Sequence, residues 1–394
     1  METISKDFQI ANPGKIKKIA FIAGVAGLIF TAAGLFDNQS QFFYSYLNAY
    51  LFWITVSLGG LFFIMLHHLT GSEWSIVLRR IMETVASTIP VMALLFIPVI
   101  WGMYDLYHWS HEDAVVSDVL LQKKSAYLNP AFFIIRAVFY FAIWSLLSLL
   151  LYKTSLAQDN AFDNNQVTKM RKVSAPGMVA FALTITFAGF DWAMSLDAHW
   201  YSTIFGVYIF GGSFLAILCF LVVFGLFLRK RNILDNTITV EHYHDIGKFL
   251  FGFIIFWGYI GFSQYFLIWY ANIPEETIWY LHRWEGSWKY ITMILVFAHF
   301  LIPFIALMPR FVKRNLSLMR FIALWILVMH WLDIYWLVIP NLHHHSVHFS
   351  WMDLTATFGI GGIFFWYFWT KFSANATVPV NDPNLEKSIR MVNN

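Results

Sequence analysis

One cysteine, Cys219, is all this chain has in 394 residues. Iron–sulfur clusters need several thiolates and covalently attached haem needs a Cys-x-x-Cys-His run, so neither can be built from this chain alone. An intrachain disulfide is excluded for the same reason. Charge is also scarce: 12% of residues are Asp, Glu, Lys or Arg, where an average soluble domain carries about 25%. There is no Gly-x-x-x-x-Gly-Lys phosphate loop and no dinucleotide fingerprint after a strand, which removes ATP-driven transport and nicotinamide chemistry as intrinsic activities. The formal net charge of +3 does not suggest a nucleic-acid partner.

What the chain has is apolar length. Hydrophobic residues make up 59% of it and aromatics 20%. Ten runs, at about 16–36, 43–66, 79–101, 130–152, 175–194, 203–228, 248–271, 287–309, 319–340 and 351–372, are each long enough to cross a bilayer, which takes roughly 20 apolar residues as a helix. Backbone inside hydrocarbon must satisfy its own hydrogen bonds, so these runs predict helices. The expectation is an all-α integral membrane protein: a single polytopic domain over 1–394, with helices one to five in 16–194, six to ten in 203–372 and a polar tail at 373–394. The first run lacks a small-residue cleavage site and reads as a retained span. The tail is expected to lie extended over a neighbour or to be disordered.

Basic residues orient the chain. With ten crossings, 21 of the 26 Lys and Arg residues fall on the side of the termini, among them Lys6, while Lys123, Lys124, Arg136, Arg283 and Lys289 fall opposite. The acids divide almost evenly. This is the positive-inside pattern and predicts cytoplasmic termini, Met1 and Asn394 included. The longest link on the other side, 102–129, is acidic and rich in Tyr and His, and is the best candidate for a docking surface.

Leu58-Gly59-Gly60-Leu61-Phe62-Phe63 and Phe210-Gly211-Gly212-Ser213-Phe214 each precede a basic turn and another span. This predicts two parallel repeats, helices 2–5 and 6–9, as two four-helix bundles with helices 1 and 10 peripheral. Paired glycines are also common wherever membrane helices pack closely.

Ionisable groups in hydrocarbon are costly and mark pathways or structural clamps. His330 and Asp333, three apart on the ninth span, share a face, and His299 on the eighth lies at similar depth. These three are candidates to pair and pass protons, or to pin two helices together. Facing histidines could also hold noncovalent haem b. Glu83 can pair back to Arg79, as a proton inlet or an interfacial ion pair, and His67-His68 read as exposed residues without a role. On the opposite side Arg136 needs a counter-charge, which Asp191 or Asp105 can supply. That trio is a candidate quinol-headgroup site or a salt bridge, and Asp191 is a further proton-path candidate. The run His343-His344-His345-x-x-His348 could hold a metal, but a helix cap or partner contact is the stronger reading, and no metal is assigned.

The stretch from Phe187 to Gly206, with Phe190-Asp191-Trp192-Ala193-Met194-Ser195-Leu196-Asp197-Ala198-His199-Trp200 at its centre, resembles the ActF-type membrane subunits of bacterial alternative complex III. So does Arg320-Phe321 followed by His330-x-x-Asp333-x-Tyr335-Trp336-Leu337-Val338-x-Pro340. Those subunits belong to the NrfD or polysulfide-reductase membrane-subunit family, and the resemblance covers spans two to nine. It implies a subunit of a respiratory quinol:cytochrome c (or quinol:copper protein) oxidoreductase. Its implied partners are an ActC-like quinol-binding paralogue, a periplasmic iron–sulfur subunit, haem c subunits, membrane lipids and a terminal oxidase. Iron–sulfur clusters and haem c would sit in those partners, quinol being the one ligand open to this chain. The role implied here is structural and proton-conducting. The alternatives are a subunit with its own quinol site and an independent secondary transporter; the latter would show broken helices at matching places in both repeats.

Overall fold

The computed structural model describes residues 8–393; Met1, Lys6 and Asn394 lie outside them. Ten long helices follow one another, and no strand occurs among the described residues. They are α1 (Gly14–Ala33), α2 (Gln39–Thr70), α3 (Ile76–Trp101, in three segments), α4 (Pro130–Asn160), α5 (Asn164–Trp192), α6 (Phe205–Lys230), α7 (Val240–Ala271), α8 (Trp288–Leu307), α9 (Leu316–Val338) and α10 (Trp351–Ser373). Nine of them, α1 to α9, are long and apolar enough to span a bilayer. The chain is a multi-pass membrane protein. The expected tenth span forms a helix of 23 residues, but its Thr, Gly, Trp and Tyr residues leave it less apolar than the others.

Local chemistry explains the helix starts. Asn38 accepts from the Gln41 amide, and Asn129 from that of Phe132 just ahead of Pro130. Asn315 caps α9, and Ser350 with Asp353 forms a capping box on α10. Each cap satisfies amides that the first turn leaves free. Gly71 ends α2 in the left-handed region, with φ 61°, where a side chain would be strained.

Prolines break α3, and neighbours answer the freed carbonyls. Pro90 and Pro98 split it into Ile76–Ala86, Ile89–Leu94 and Ile97–Trp101. Tyr50 of α2 donates to the Met92 carbonyl at 3.1 Å and Tyr46 to that of Leu95 at 2.7 Å, as a low-dielectric surround demands. In α8 the segment Leu295–Leu301 is a π-helix. Pro303 beyond it has no N–H to give, and the Ala298 carbonyl accepts from Trp325 of α9 at 2.7 Å instead.

Helices α2–α5 pack on one another, as do α6–α9, and the halves meet through α2 on α6, α2 on α9 and α5 on α6. Exchanging α2–α5 with α6–α9 reproduces that pattern of contacts, as the two-bundle expectation requires. Both glycine pairs sit at helix crossings. A Cβ on Gly59 would come within 2.3 Å of the Ser213 carbonyl of α6, and one on Gly212 within 2.8 Å of the His330 ring. Outside the bundles, α10 lies on α2 and α1 lies on α10. Gly24 and Gly27 face Gly362 and Gly359 so closely that a Cβ on Gly27 would sit 2.6 Å from the Gly359 Cα. Small residues let membrane helices approach this way.

The tail after α10 lies over neighbouring helices rather than apart from them. Asp382 pairs with Arg79 at 2.7 Å. The Ser388 carbonyl meets His242 Nε2 at 3.0 Å, and its hydroxyl donates to the Trp74 carbonyl. With Asn381 donating to the Asp159 carbonyl at 2.6 Å, the tail thereby covers the start of α3, the end of α4 and the start of α7.

Candidate functional site

Where the bundles meet, Leu51–Leu58 of α2, Ile185–Ala193 of α5, Tyr208–Gly212 of α6 and His330–Leu337 of α9 enclose a cavity of about 30 Å³. It has room for a water molecule, but its wall is mostly apolar, with Thr55, Tyr208, His330 and Asp333 as its polar side chains. Asp333 lines it and is 2% exposed. One carboxylate oxygen accepts from the Tyr208 hydroxyl and the other from Trp257 Nε1 at 3.3 Å. No basic side chain pairs with Asp333 among the described residues. His330 also lines the cavity, with Nε2 at 3.0 Å from the Thr55 hydroxyl and Nδ1 without a partner.

The expected pairing of His330 with Asp333 is therefore corrected. They share one face and one cavity, but the imidazole turns to Thr55 and the carboxylate to Tyr208 and Trp257. His299 is not on the cavity. It sits in the π-helix with neither ring nitrogen hydrogen-bonded, against Trp257 with 4.1 Å between ring centroids and the planes tilted by 32°. Its link to Asp333 runs through that indole.

The Arg136 site is a closed clamp. Its Nε and Nη2 reach the two oxygens of Asp191 at 2.8 and 2.9 Å, Nη1 donates to the Tyr127 carbonyl at 2.8 Å, and Tyr140 donates to Asp191 at 2.8 Å. Tyr127 and Phe132 stack on the guanidinium. A bidentate pair this fully bonded leaves Asp191 little capacity for a ligand. Asp105 is not part of it: that carboxylate accepts from Gln39 and Ser40 at the start of α2. The three-residue headgroup site read from sequence does not assemble.

Glu83 is buried among cations. Arg80 Nη1 is 3.0 Å from one oxygen, and Arg79 Nε is 3.3 Å from the other without hydrogen-bond alignment. Arg80 also pairs with Asp159, and Arg79 with Asp382 and Gln158. The ion pair read from sequence is present, enlarged into a network that fixes α3, α4 and the tail. His67 and His68 are buried, not exposed: His67 Nδ1 is 2.7 Å from the Ser75 hydroxyl, and the His68 carbonyl accepts from Arg171.

In the histidine run, His343 Nε2 meets Gln41 at 2.7 Å, and the His348 carbonyl accepts from Tyr335. Among the described residues no three His, Cys, Asp or Glu side chains converge as metal ligands. The 102–129 link folds into four short helical turns, tied to the α5–α6 link by His199 and Asp118 at 2.5 Å. That hydrogen bond holds the Asp118 carboxyl below its ordinary value.

A second, larger space was not foreseen. Between α7 and α8 a cleft of about 630 Å³ opens at the lipid-facing side. Its inner wall is Tyr208 and Trp257, the two donors to Asp333. Its polar end holds Gln264, Tyr280 and Arg283. The sequence signal was a glutamine within an apolar span and an arginine in a short link. Neither a scan against protein-family models nor a search of curated proteins matches the chain.

Proposed function

We propose that this chain is a membrane subunit of a respiratory quinol oxidoreductase, set in a bacterial inner membrane with both termini cytoplasmic, and that Asp333 carries protons through it. The observation that carries this is a buried carboxylate with no cation partner among the described residues, beside a small, mostly apolar cavity that His330 shares where two bundles meet. Such groups within a membrane are expensive and belong to pathways far more often than to inert packing. The basic bias of one face supports the orientation, and the 187–206 and 320–340 motifs support the respiratory assignment. Iron–sulfur and haem c centres would belong to companion subunits, alongside an ActC-like paralogue.

The transporter reading has less in its favour. Helix breaks fall in α3 and α8, which are not equivalent positions of the two bundles, and α7 runs unbroken over Val240–Ala271. Purification from native membranes in mild detergent, with haem staining and mass spectrometry of companions, tests the assignment. Co-purifying haem c and iron–sulfur subunits are expected. A chain that purifies alone, with transport activity, would overturn it.

A further inference from the structure

We propose that the cleft between α7 and α8 binds an uncharged ring headgroup bearing oxygen acceptors on an apolar tail, which for a respiratory subunit means a quinone. The choice of quinone rests on the function proposed above; the ligand chemistry rests on the cleft. Its volume of about 630 Å³ falls within the range of small-molecule sites, about 300–1,000 Å³. Tyr259, Val296 and Phe297 at its mouth are at least 49% exposed, so in a bilayer the opening meets lipid tails. Half of the lining side chains are aromatic, which suits a flat ring by offset or edge-on stacking.

The polar end favours a neutral acceptor over an anion. Arg283 is buried and has no carboxylate partner among the described residues, but its charge is already engaged. Nε donates to the Trp336 carbonyl at 3.2 Å, Nη2 to that of Leu337 at 3.1 Å and Nη1 to that of Trp279 at 3.0 Å. Two of those carbonyls end α9, where the helix dipole is negative. Trp279 stacks on the guanidinium at 3.4 Å. Beside it, Gln264 is held by Ser202 and donates to the Tyr280 hydroxyl at 2.9 Å. That leaves the Tyr280 hydrogen without an acceptor among the described residues, a donor ready for a ring oxygen. A ring bound here would lie against Tyr208, and thus one hydrogen bond from Asp333.

Titrating the purified full chain in detergent with a decyl-tailed benzoquinone, and following quenching of its tryptophan fluorescence, tests this. Saturable quenching at one quinone per chain is expected. Tyr280→Phe should weaken it about fivefold, the worth of one neutral hydrogen bond. Val296→Phe, which fills the mouth, should abolish the saturable part, while Val328→Phe on the lipid face of α9 should leave it intact. Quenching that rises linearly and ignores Val296→Phe would mean partitioning into detergent and would overturn the site. Saturable binding of an anionic phospholipid, with no saturable quenching by the quinone, would overturn the ligand class. The assay needs no companion subunit, so saturable binding here, together with transport activity and no companions in the native-membrane purification, would support the cleft while sinking the respiratory role.

Discussion

Replacing Asp191 by Asn keeps the shape of the side chain but strands the Arg136 guanidinium, 7% exposed among Tyr127, Phe132 and Tyr140. Breaking a buried ion pair by removing one partner costs about 3–5 kcal/mol. Tyr140→Phe deletes only one hydrogen bond to the carboxylate, worth about 1.5–3 kcal/mol. Replacing both charges together, Arg136→Met with Asp191→Leu, removes the stranded charge and should cost less than Asp191→Asn alone. Cys219 makes the assay simple. It is the only cysteine and is fully buried in α6, so a maleimide dye reacts only as the bundle opens. The expected order of thermal labelling midpoints is wild type, then Tyr140→Phe, then Asp191→Asn, with the double variant above Asp191→Asn. A clamp would be refuted by an Asp191→Asn protein as stable as wild type, and a headgroup site supported if that variant lost quinone binding instead.

Two further outcomes follow from the opposite face and its links. Ser117→Cys should label with a membrane-impermeant maleimide from outside intact cells and Asn232→Cys should not; the reverse pattern would invert the orientation. Because the His199 hydrogen bond depresses the Asp118 carboxyl, its contribution is present above the ordinary Asp value of 3.8 and disappears as pH falls through the depressed one. Hydrogen exchange over 112–124 should therefore accelerate below about pH 4 in wild type, and Asp118→Asn should remove that step.

The spans were legible because length and hydropathy are properties of single segments. So were the Arg79–Glu83 and Arg136–Asp191 contacts, the first a helical spacing and the second a charge needing its opposite. Asp105 misled because depth alone does not say which way a side chain points, and here it points to the start of α2. The partners of Asp333 were hidden for a related reason: Tyr208 and Trp257 come from other helices, and aromatic residues line nearly every helix of this chain. Burial of His67 and His68 depends on Ser75 and Arg171 closing over them. The π-helix, which lines the cleft, ends just ahead of Pro303, and the Ala298 carbonyl within it is answered by Trp325 of α9, a tertiary event with no local pattern beyond the proline.

The central claim is that Asp333 moves protons. The measurement that tests it is the proton yield per electron of the intact complex in proteoliposomes, comparing wild type with Asp333→Asn. The amide oxygen can still accept from Trp257 while its NH2 group donates to the Tyr208 oxygen, so assembly and electron transfer should persist while proton release per electron falls. An assembled Asp333→Asn complex with an unchanged proton yield would contradict the account and leave this carboxylate as a structural pin between α6, α7 and α9.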